Sequence, residues 1–321
     1  MGKNIEMGTR IVQDALPAHL IGADFISEVL PDIVNLKGIE SPYRLFRYDK
    51  ADDRYYFRYQ GQTAIGYLSM TSFLHKVLPT SPFLIQWMVK NGEDGAAYLR
   101  DMRAEYGTTL HIISTELELK RNGSFDEIRR TAYDRAIELG YKSEAMEWEA
   151  EMVNDIFSYI IFTKEREVET IAAEFPICSD EYGLAGCIDR VIRLKFDGKV
   201  VNAILDLKSG RKGFWSSHRA QLHGYMKMWN DQFGHIFPVS HCFNLAPAAN
   251  SITAKTKYKL ENQTDACLDG ETRPLKEYIH SFLKQARDRG MINPPMSHLE
   301  LRGSFSLDTF NPDDHIIRHK V

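Results

Sequence analysis

The segment that decides the fold covers residues 186–208, and it reads GCIDRVIRLKFDGKVVNAILDLK. Its apolar and β-branched residues predict two strands, over about 186–196 and 199–207. The pair Asp197-Gly198 between them predicts a tight antiparallel hairpin. A third strand is predicted just upstream, over about 169–177. The centre of the chain is therefore expected to be a strand meander.

The segments on either side of this meander have mainly helical periodicity, with one short strand predicted early, over residues 55–59. The predicted helices are one that begins near Ser69 and is interrupted at Pro79 and Pro82, one over about 83–118 that is broken at Gly107-Thr108, and others over about 126–139, 143–164 and 216–231. A last strand is predicted over about 235–245, with a bulge or an edge at Pro238. This order of elements predicts an α/β (α+β) fold with one central sheet.

Composition narrows the protein class. The chain has 321 residues, of which 43% are hydrophobic and 26% charged, and these values exclude collagen-like, disordered and disulfide-scaffold proteins. The four cysteines are scattered, and no apolar run approaches the roughly 18 residues of a membrane helix, so we expect a cytoplasmic protein with no membrane contact. The net charge of −4 gives no signature of a nucleic-acid binder, but residues 189–219 carry eight basic residues against three acidic ones.

Two carboxylates and a lysine in the hairpin suggest metal chemistry. Asp189 and Asp206 could converge on one hard divalent cation if the hairpin forms. Lys208 lies two residues after Asp206 and points to the same face, where its ammonium group could orient a water or neutralise charge on a phosphate. The Asp-x-Lys triplet alone is a weak signal, because Glu118-Leu119-Lys120 has the same pattern in a helical segment and is interpreted as a decoy.

Five short motifs occur in order along the chain: Gly107-Thr108-Thr109-Leu110-His111, Glu174-Phe175-Pro176-Ile177, Gly186 to Asp189, Asp206 to Lys208, and Gln221 with Tyr225. In this order and at these spacings, they resemble the PD-(D/E)XK nuclease superfamily. The resemblance is to its RecB-like exonuclease branch, which includes phage exonucleases, CRISPR-associated RecB-like nucleases and the mitochondrial genome maintenance exonuclease. It covers about residues 65–245, and each motif alone is unspecific.

The resemblance implies a restriction-endonuclease-like core, in which helices flank a central mixed sheet, together with an N-terminal helical region. The expected organisation is an N-terminal extension with short strands over 1–65, a helical region that carries the motif histidine over 66–168, the nuclease core over 169–250, and a C-terminal extension packing on the core over 251–321.

The resemblance also implies residue roles. The expected ligands of Mg²⁺ or Mn²⁺ are His111, Asp189, Asp206 and the Leu207 carbonyl, while Glu174, expected to begin a strand, could bind or orient a second metal or its water. Lys208 is expected to be the catalytic lysine, and Gln221 and Tyr225 would steady it or the substrate strand. Neither an iron–sulfur cluster nor ATP is expected. The residues expected to contact DNA are Arg190, Arg211, Lys212, Trp215, Arg219 and Ser72, whereas His218 and His223 are interpreted as surface histidines.

The resulting expectation is a metal-dependent DNA exonuclease that acts on single-stranded or end-processed DNA in recombination, repair or replication. The resemblance to phage enzymes extends this expectation to a phage or its bacterial host and to a recombination or replication partner protein. Two alternatives stay open. The protein could be an endonuclease or an RNA-acting nuclease of the same fold, or a catalytically silent module that binds DNA or a partner.

Overall fold

The structure is a computed structural model that describes residues 9–11, 26–40, 44–50, 53–60, 63–78, 80, 82–210, 214, 216–247, 258–265, 299–301 and 316–318. Eleven strands form one mixed sheet: β1 (Thr9–Ile11), β2 (Ile26–Val29), β3 (Ile33–Val34), β4 (Leu45–Lys50), β5 (Asp53–Gln60), β6 (Thr63–Ser69), β7 (Glu169–Ser179), β8 (Leu184–Phe196), β9 (Lys199–Leu207), β10 (His241–Ala246) and β11 (Lys259–Asn262). Among the described strands, the short β12 (Leu299–Leu301) and β13 (Ile316–Arg318) form a separate two-stranded sheet.

Within the described ranges, six helices accompany the sheet: α1 (Met70–Val77), α2 (Pro82–Asn91), α3 (Glu93–Lys120), α4 (Phe125–Glu138), α5 (Ala145–Glu165) and α6 (Ser216–Phe233). Parallel and antiparallel pairs occur together in the sheet, and helices flank it, so the predicted α/β class is confirmed. No helix among the described residues combines the length and the apolar character needed to cross a membrane.

The long strand β8 organises the sheet. One of its edges pairs antiparallel with β7 along most of its length. On the other edge, β6 pairs in parallel with residues 184–185, and β9 pairs antiparallel with residues 190–196. Among the strands described, residues 186–188 pair only with β7 and Asp189 falls between two ladder pairs, so a gap opens between the ends of β6 and β9. Because β6 joins β8 directly, residues 26–69 extend the same sheet as the central meander.

The sheet is covered by two apolar layers. One contains α1 and α6, with Phe73 and Trp229 buried against β7 and β8. The other contains α3, α4 and α5, with Leu110 and Met152 packed on the apolar residues of β9 and β10. Each fully buried side chain of this size contributes about 1.5–3 kcal/mol to stability, so α3 is held firmly against the sheet.

Turn, cap and proline residues in the sequence correctly predicted several ends of helices and strands. The Asp197-Gly198 turn is present, and both residues have the positive φ angles, 48° and 75°, that a tight hairpin turn requires. Ser69 caps α1, as its position before the helix predicts: its side chain accepts a hydrogen bond from the Ser72 N–H. The helix is interrupted between α1 and α2, as predicted from Pro79 and Pro82.

Three predictions about element boundaries are wrong. The break expected at Gly107-Thr108 lies instead at Gly92, whose φ of 72° is left-handed, and α3 runs through Gly107 without interruption. Strand β10 begins at His241, beyond Pro238, because proline cannot donate to a strand ladder. Glu174 does not begin a strand: it lies inside β7, with a φ of 46°, between the ladder residues Ala173 and Phe175.

Candidate active site

The predicted site lies at the gap along β8. Arg190 and Leu205 form the last ladder pair between β8 and β9 at this end, so Asp189 and Asp206 follow just beyond it. Beyond this pair, the Asp189 side chain replaces a backbone acceptor of the ladder: its Oδ2 accepts a hydrogen bond from the Leu207 N–H at 2.8 Å. The hairpin therefore brings both predicted carboxylates to its open end.

Three side chains meet at this point in an arrangement that could hold a metal ion. His111, Glu174 and Asp189 each offer a ligand atom, and these atoms lie within 4.8 Å of one another. His111 Nε2 is 3.3 Å from the Leu207 carbonyl oxygen and 3.7 Å from Asp189 Oδ2. One imidazole nitrogen together with carboxylate and carbonyl oxygens is a donor set that fits Mn²⁺ or Mg²⁺. Four of the five predicted metal-site residues are thus grouped together, with Glu174, Asp189 and Leu207 around His111.

His111 reaches the sheet because α3 packs closely against the end of β9. It lies one helical turn after Gly107, where a Cβ atom would stand only 3.1 Å from Ser209 Oγ. The ring's other nitrogen, Nδ1, is 2.9 Å from Glu174 Oε1. Glu174 therefore holds one side of the ring, and Nε2 faces Asp189 and Leu207.

The charges around His111 shift its pKa strongly. Burial lowers the pKa, but Asp189 and Glu174 outweigh burial and raise it from 6.5 to about 9. For Glu174, burial raises the pKa, but His111 and Arg190 together lower it below its ordinary value of 4.5. Without a cation, the ring is thus protonated at neutral pH and forms an ion pair with carboxylates.

Asp206 is engaged differently from the other predicted ligands. Its Oδ1 accepts a hydrogen bond from Lys208 Nζ at 2.7 Å, and its Oδ2 accepts one from Asn244 Nδ2 at 2.6 Å. Asn244 is a β10 residue that the sequence reasoning did not identify. A polar residue between Phe243 and Leu245 in an apolar strand was the signal that could have found it.

Burial and charge also set the protonation of this pair. Burial raises the pKa of Asp206 from 3.8 to about 6, against the opposing effect of Lys208. Burial lowers the pKa of Lys208, but Asp206 and Asp189 outweigh it and raise the pKa above 10.5. Lys208 is therefore a fixed positive charge at neutral pH.

Helix α6 supplies the remaining predicted catalytic residues. Gln221 Oε1 is 3.5 Å from Lys208 Nζ, and the Gln221 side chain also contacts the Tyr225 hydroxyl. Tyr225 packs so closely on β8 that a Cβ atom at Gly186 would lie 2.4 Å from its Oη. The glycine of the Gly-x-x-Asp motif thus makes room for the tyrosine of the following motif.

Arg190 does not have the predicted role of a DNA contact. Its side chain is 1% exposed, and its guanidinium group donates hydrogen bonds to the carboxylates of Glu118 and Glu174. Glu118, interpreted from the sequence as part of a decoy triplet, is thus a structural partner of the site. It lies two helical turns after His111, on the same face of α3, and this spacing was the available signal.

The other predicted DNA contacts have different outcomes. Ser72 is buried, and its hydroxyl accepts a hydrogen bond from the Arg54 N–H, so the prediction that it contacts DNA is also wrong. Arg219 is half-buried in the first turn of α6, and its contact with DNA stays a prediction. Arg211, Lys212 and Trp215 lie outside the described residues.

One histidine interpreted as a surface residue lies near the lysine instead. His218 is half-buried in α6, and burial, together with the charge of Lys208, lowers its pKa from 6.5 to about 3. The ring is therefore neutral throughout the physiological pH range.

Neither the protein-family models nor the curated proteins with which the sequence was compared match this chain.

Proposed function

We propose that the protein is a metal-dependent nuclease that hydrolyses phosphodiester bonds of DNA, with free ends or single strands as its preferred substrates. One observation carries the proposal: His111 Nε2, Asp189 Oδ2 and the Leu207 carbonyl converge at the open end of a hairpin that also carries Lys208. The motif resemblance to RecB-like exonucleases supports DNA as the substrate.

The residues of the site would have two different roles, binding the cation and orienting its histidine ligand. His111, Asp189 and Leu207 would hold the cation, with Asp206 next to them on β9. The bound cation would lower the pKa of a water molecule and stabilise negative charge on the phosphate. Glu174 accepts a hydrogen bond from His111 Nδ1–H and so fixes which ring nitrogen is free to bind.

Lys208 supplies a positive charge whose position is set by its neighbours. Asp206 accepts a hydrogen bond from its ammonium group, and Gln221 approaches from α6. In this place, Lys208 can orient the attacking water or neutralise charge that develops on the phosphate. Asn244 completes the arrangement by fixing the other oxygen of Asp206.

The test is cleavage of end-labelled linear DNA, single-stranded and double-stranded, with Mg²⁺ or Mn²⁺ and with EDTA. Asp189→Asn and Lys208→Gln should each lower the rate at least about 100-fold, because removing an oriented electrostatic group commonly costs that much. The matched control is Lys195→Gln on the same hairpin: the Lys195 side chain forms an exposed ion pair with Glu167, and the variant should cleave at the wild-type rate.

The outcomes separate the alternatives. A closed circular substrate that is cut as fast as the linear one indicates an endonuclease, and faster cleavage of an all-ribose strand indicates an RNA-acting enzyme. Binding of Mn²⁺ without any cleavage favours the catalytically silent module. Full activity in Lys208→Gln contradicts the proposed mechanism.

A further inference from the structure

Behind the candidate metal centre lies a buried arginine that has more than one partner. Arg190 donates from Nε to Glu118 Oε1 at 3.1 Å, and from Nη1 to Glu174 Oε1 at 3.3 Å and to its neighbour's backbone oxygen, that of Asp189, at 2.7 Å. Its Nη2 donates to the hydroxyls of Ser114 and Thr115, at 3.1 and 2.7 Å. One rigid, planar group thus joins three elements: α3, β7 and β8.

The α3 partners lie on the helix face that presents His111. Ser114, Thr115 and Glu118 follow His111 by three, four and seven residues, which is the spacing of one helical face. Glu118 is itself fixed, because Tyr159 of α5 donates a hydrogen bond to the same carboxylate oxygen. The helix that carries His111 is therefore attached to the sheet through Arg190.

Arg190 reaches the metal centre through Glu174. Glu174 Oε1 accepts hydrogen bonds from both Arg190 Nη1 and His111 Nδ1. The backbone at Glu174 has a φ of 46°, a strained conformation for a residue other than glycine, and such strain is kept where the surroundings over-determine it. Glu174 thus bridges the buried arginine and the outer edge of the imidazole ring.

We infer that Arg190, held by Glu118, is a positioning residue of the metal centre. It fixes the Glu174 carboxylate as a hydrogen-bond acceptor for His111 Nδ1–H, and this directs Nε2 toward Asp189 Oδ2 and the Leu207 carbonyl. Its hydrogen bond to the Asp189 backbone oxygen holds the guanidinium group against β8. The inference rests on the proposed function for the presence of a cation at this site.

The test is a double-mutant cycle on Mn²⁺ affinity, measured by calorimetry with the full chain and without DNA. Removing Arg190 alone would take the cation from the partly buried Glu118 carboxylate, so the pair is removed together as Glu118→Leu with Arg190→Met, a change that often preserves stability. The Mn²⁺ affinity of this double variant is compared with that of the wild type. The same two changes are then made in the Glu174→Gln protein, and the result is compared with Glu174→Gln alone.

Loss of an outer partner of a metal-binding histidine typically weakens metal affinity about 10- to 100-fold, and we expect that loss when Glu174 is present. In the Glu174→Gln protein, the same double change should weaken binding less than about threefold, since coupled residues are not additive. The matched control is Arg193→Gln on β8, which removes an exposed ion pair with Glu169 and should leave Mn²⁺ affinity unchanged.

Equal losses of affinity with and without Glu174 would overturn the inference and leave the nuclease proposal intact. Arg190→Lys is a second measurement that does not depend on how the double variant folds: it keeps the charge but not the planar fork, and wild-type Mn²⁺ affinity in this variant would also overturn the inference. Non-additive losses in a protein that cuts no DNA would support the inference and refute the nuclease. A wild-type protein that binds no Mn²⁺ overturns both.

Discussion

Replacing His111 by glutamine in the metal-free protein should make stability depend less on pH, by an amount that follows from the ring's surroundings. Asp189 and Glu174 outweigh burial and raise the pKa of His111 from 6.5 to about 9, so the folded protein binds this proton more tightly than the unfolded chain. One pKa unit corresponds to about 1.4 kcal/mol, and the shift therefore contributes about 3 kcal/mol. This contribution is complete below pH 6.5 and is lost as the pH rises through about 9.

The assay is urea unfolding of both proteins in EDTA at several pH values from 6 to 10. Between these limits, the free energy of unfolding of the wild type should fall by about 3 kcal/mol relative to His111→Gln, since titrations common to both proteins cancel. Glu174→Gln removes one of the two carboxylates and should shrink the pH dependence. A difference between wild type and His111→Gln that stays constant from pH 6 to pH 10 would refute the electrostatic reasoning.

Three further predictions concern the same site. Calorimetry should show Mn²⁺ affinity rising about tenfold per pH unit from 6.5 to 9, because binding displaces the proton of His111; an equal slope in His111→Gln would contradict this. Gly186→Ala should lower the free energy of unfolding by about 1–3 kcal/mol in urea unfolding, since the added Cβ would lie 2.4 Å from Tyr225 Oη. Adding Tyr225→Phe should recover part of this loss, and purely additive losses would argue against the contact. Asn244→Leu removes a hydrogen bond that favours the charged form of Asp206, whose pKa is about 6, so this pKa should rise. The acidic limb of the pH–rate profile should then move to higher pH, and an unmoved limb would show that Asn244 does not set the protonation of Asp206.

Local chemistry made the central hairpin predictable. The Asp197-Gly198 pair adopts the positive φ angles of a tight turn with little need of tertiary support, and the strands on either side follow from their residue types. Once that turn is in place, Asp189 and Asp206 must come to the same end. The motif order alone suggested that His111 and Glu174 belong with them, because no local rule brings together residues 63 positions apart.

The errors arose where tertiary contacts override local preference. Gly107 weakens a helix in isolation, but in the fold it makes room for Ser209, so the helix continues. Arg190 was expected to face solvent because charge is visible in a sequence and burial is not. Its partner Glu118 lies 72 positions away, on a helix whose packing decides whether the arginine meets water or carboxylates.

The hairpin turn lies far from the candidate site, but its length determines which side chains reach that site. Phe196, where the turn begins, lies seven positions after Asp189, and at about 3.3 Å per residue this is about 23 Å. Inserting one residue at the turn would offset β8 against β9 and turn the side chains of one strand to its opposite face. Asp206 and Lys208 would then exchange sides with Leu207. We expect length changes in this distant, exposed turn to abolish the site while point substitutions there preserve it, so the turn's length, more than its residue identities, is what selection must maintain.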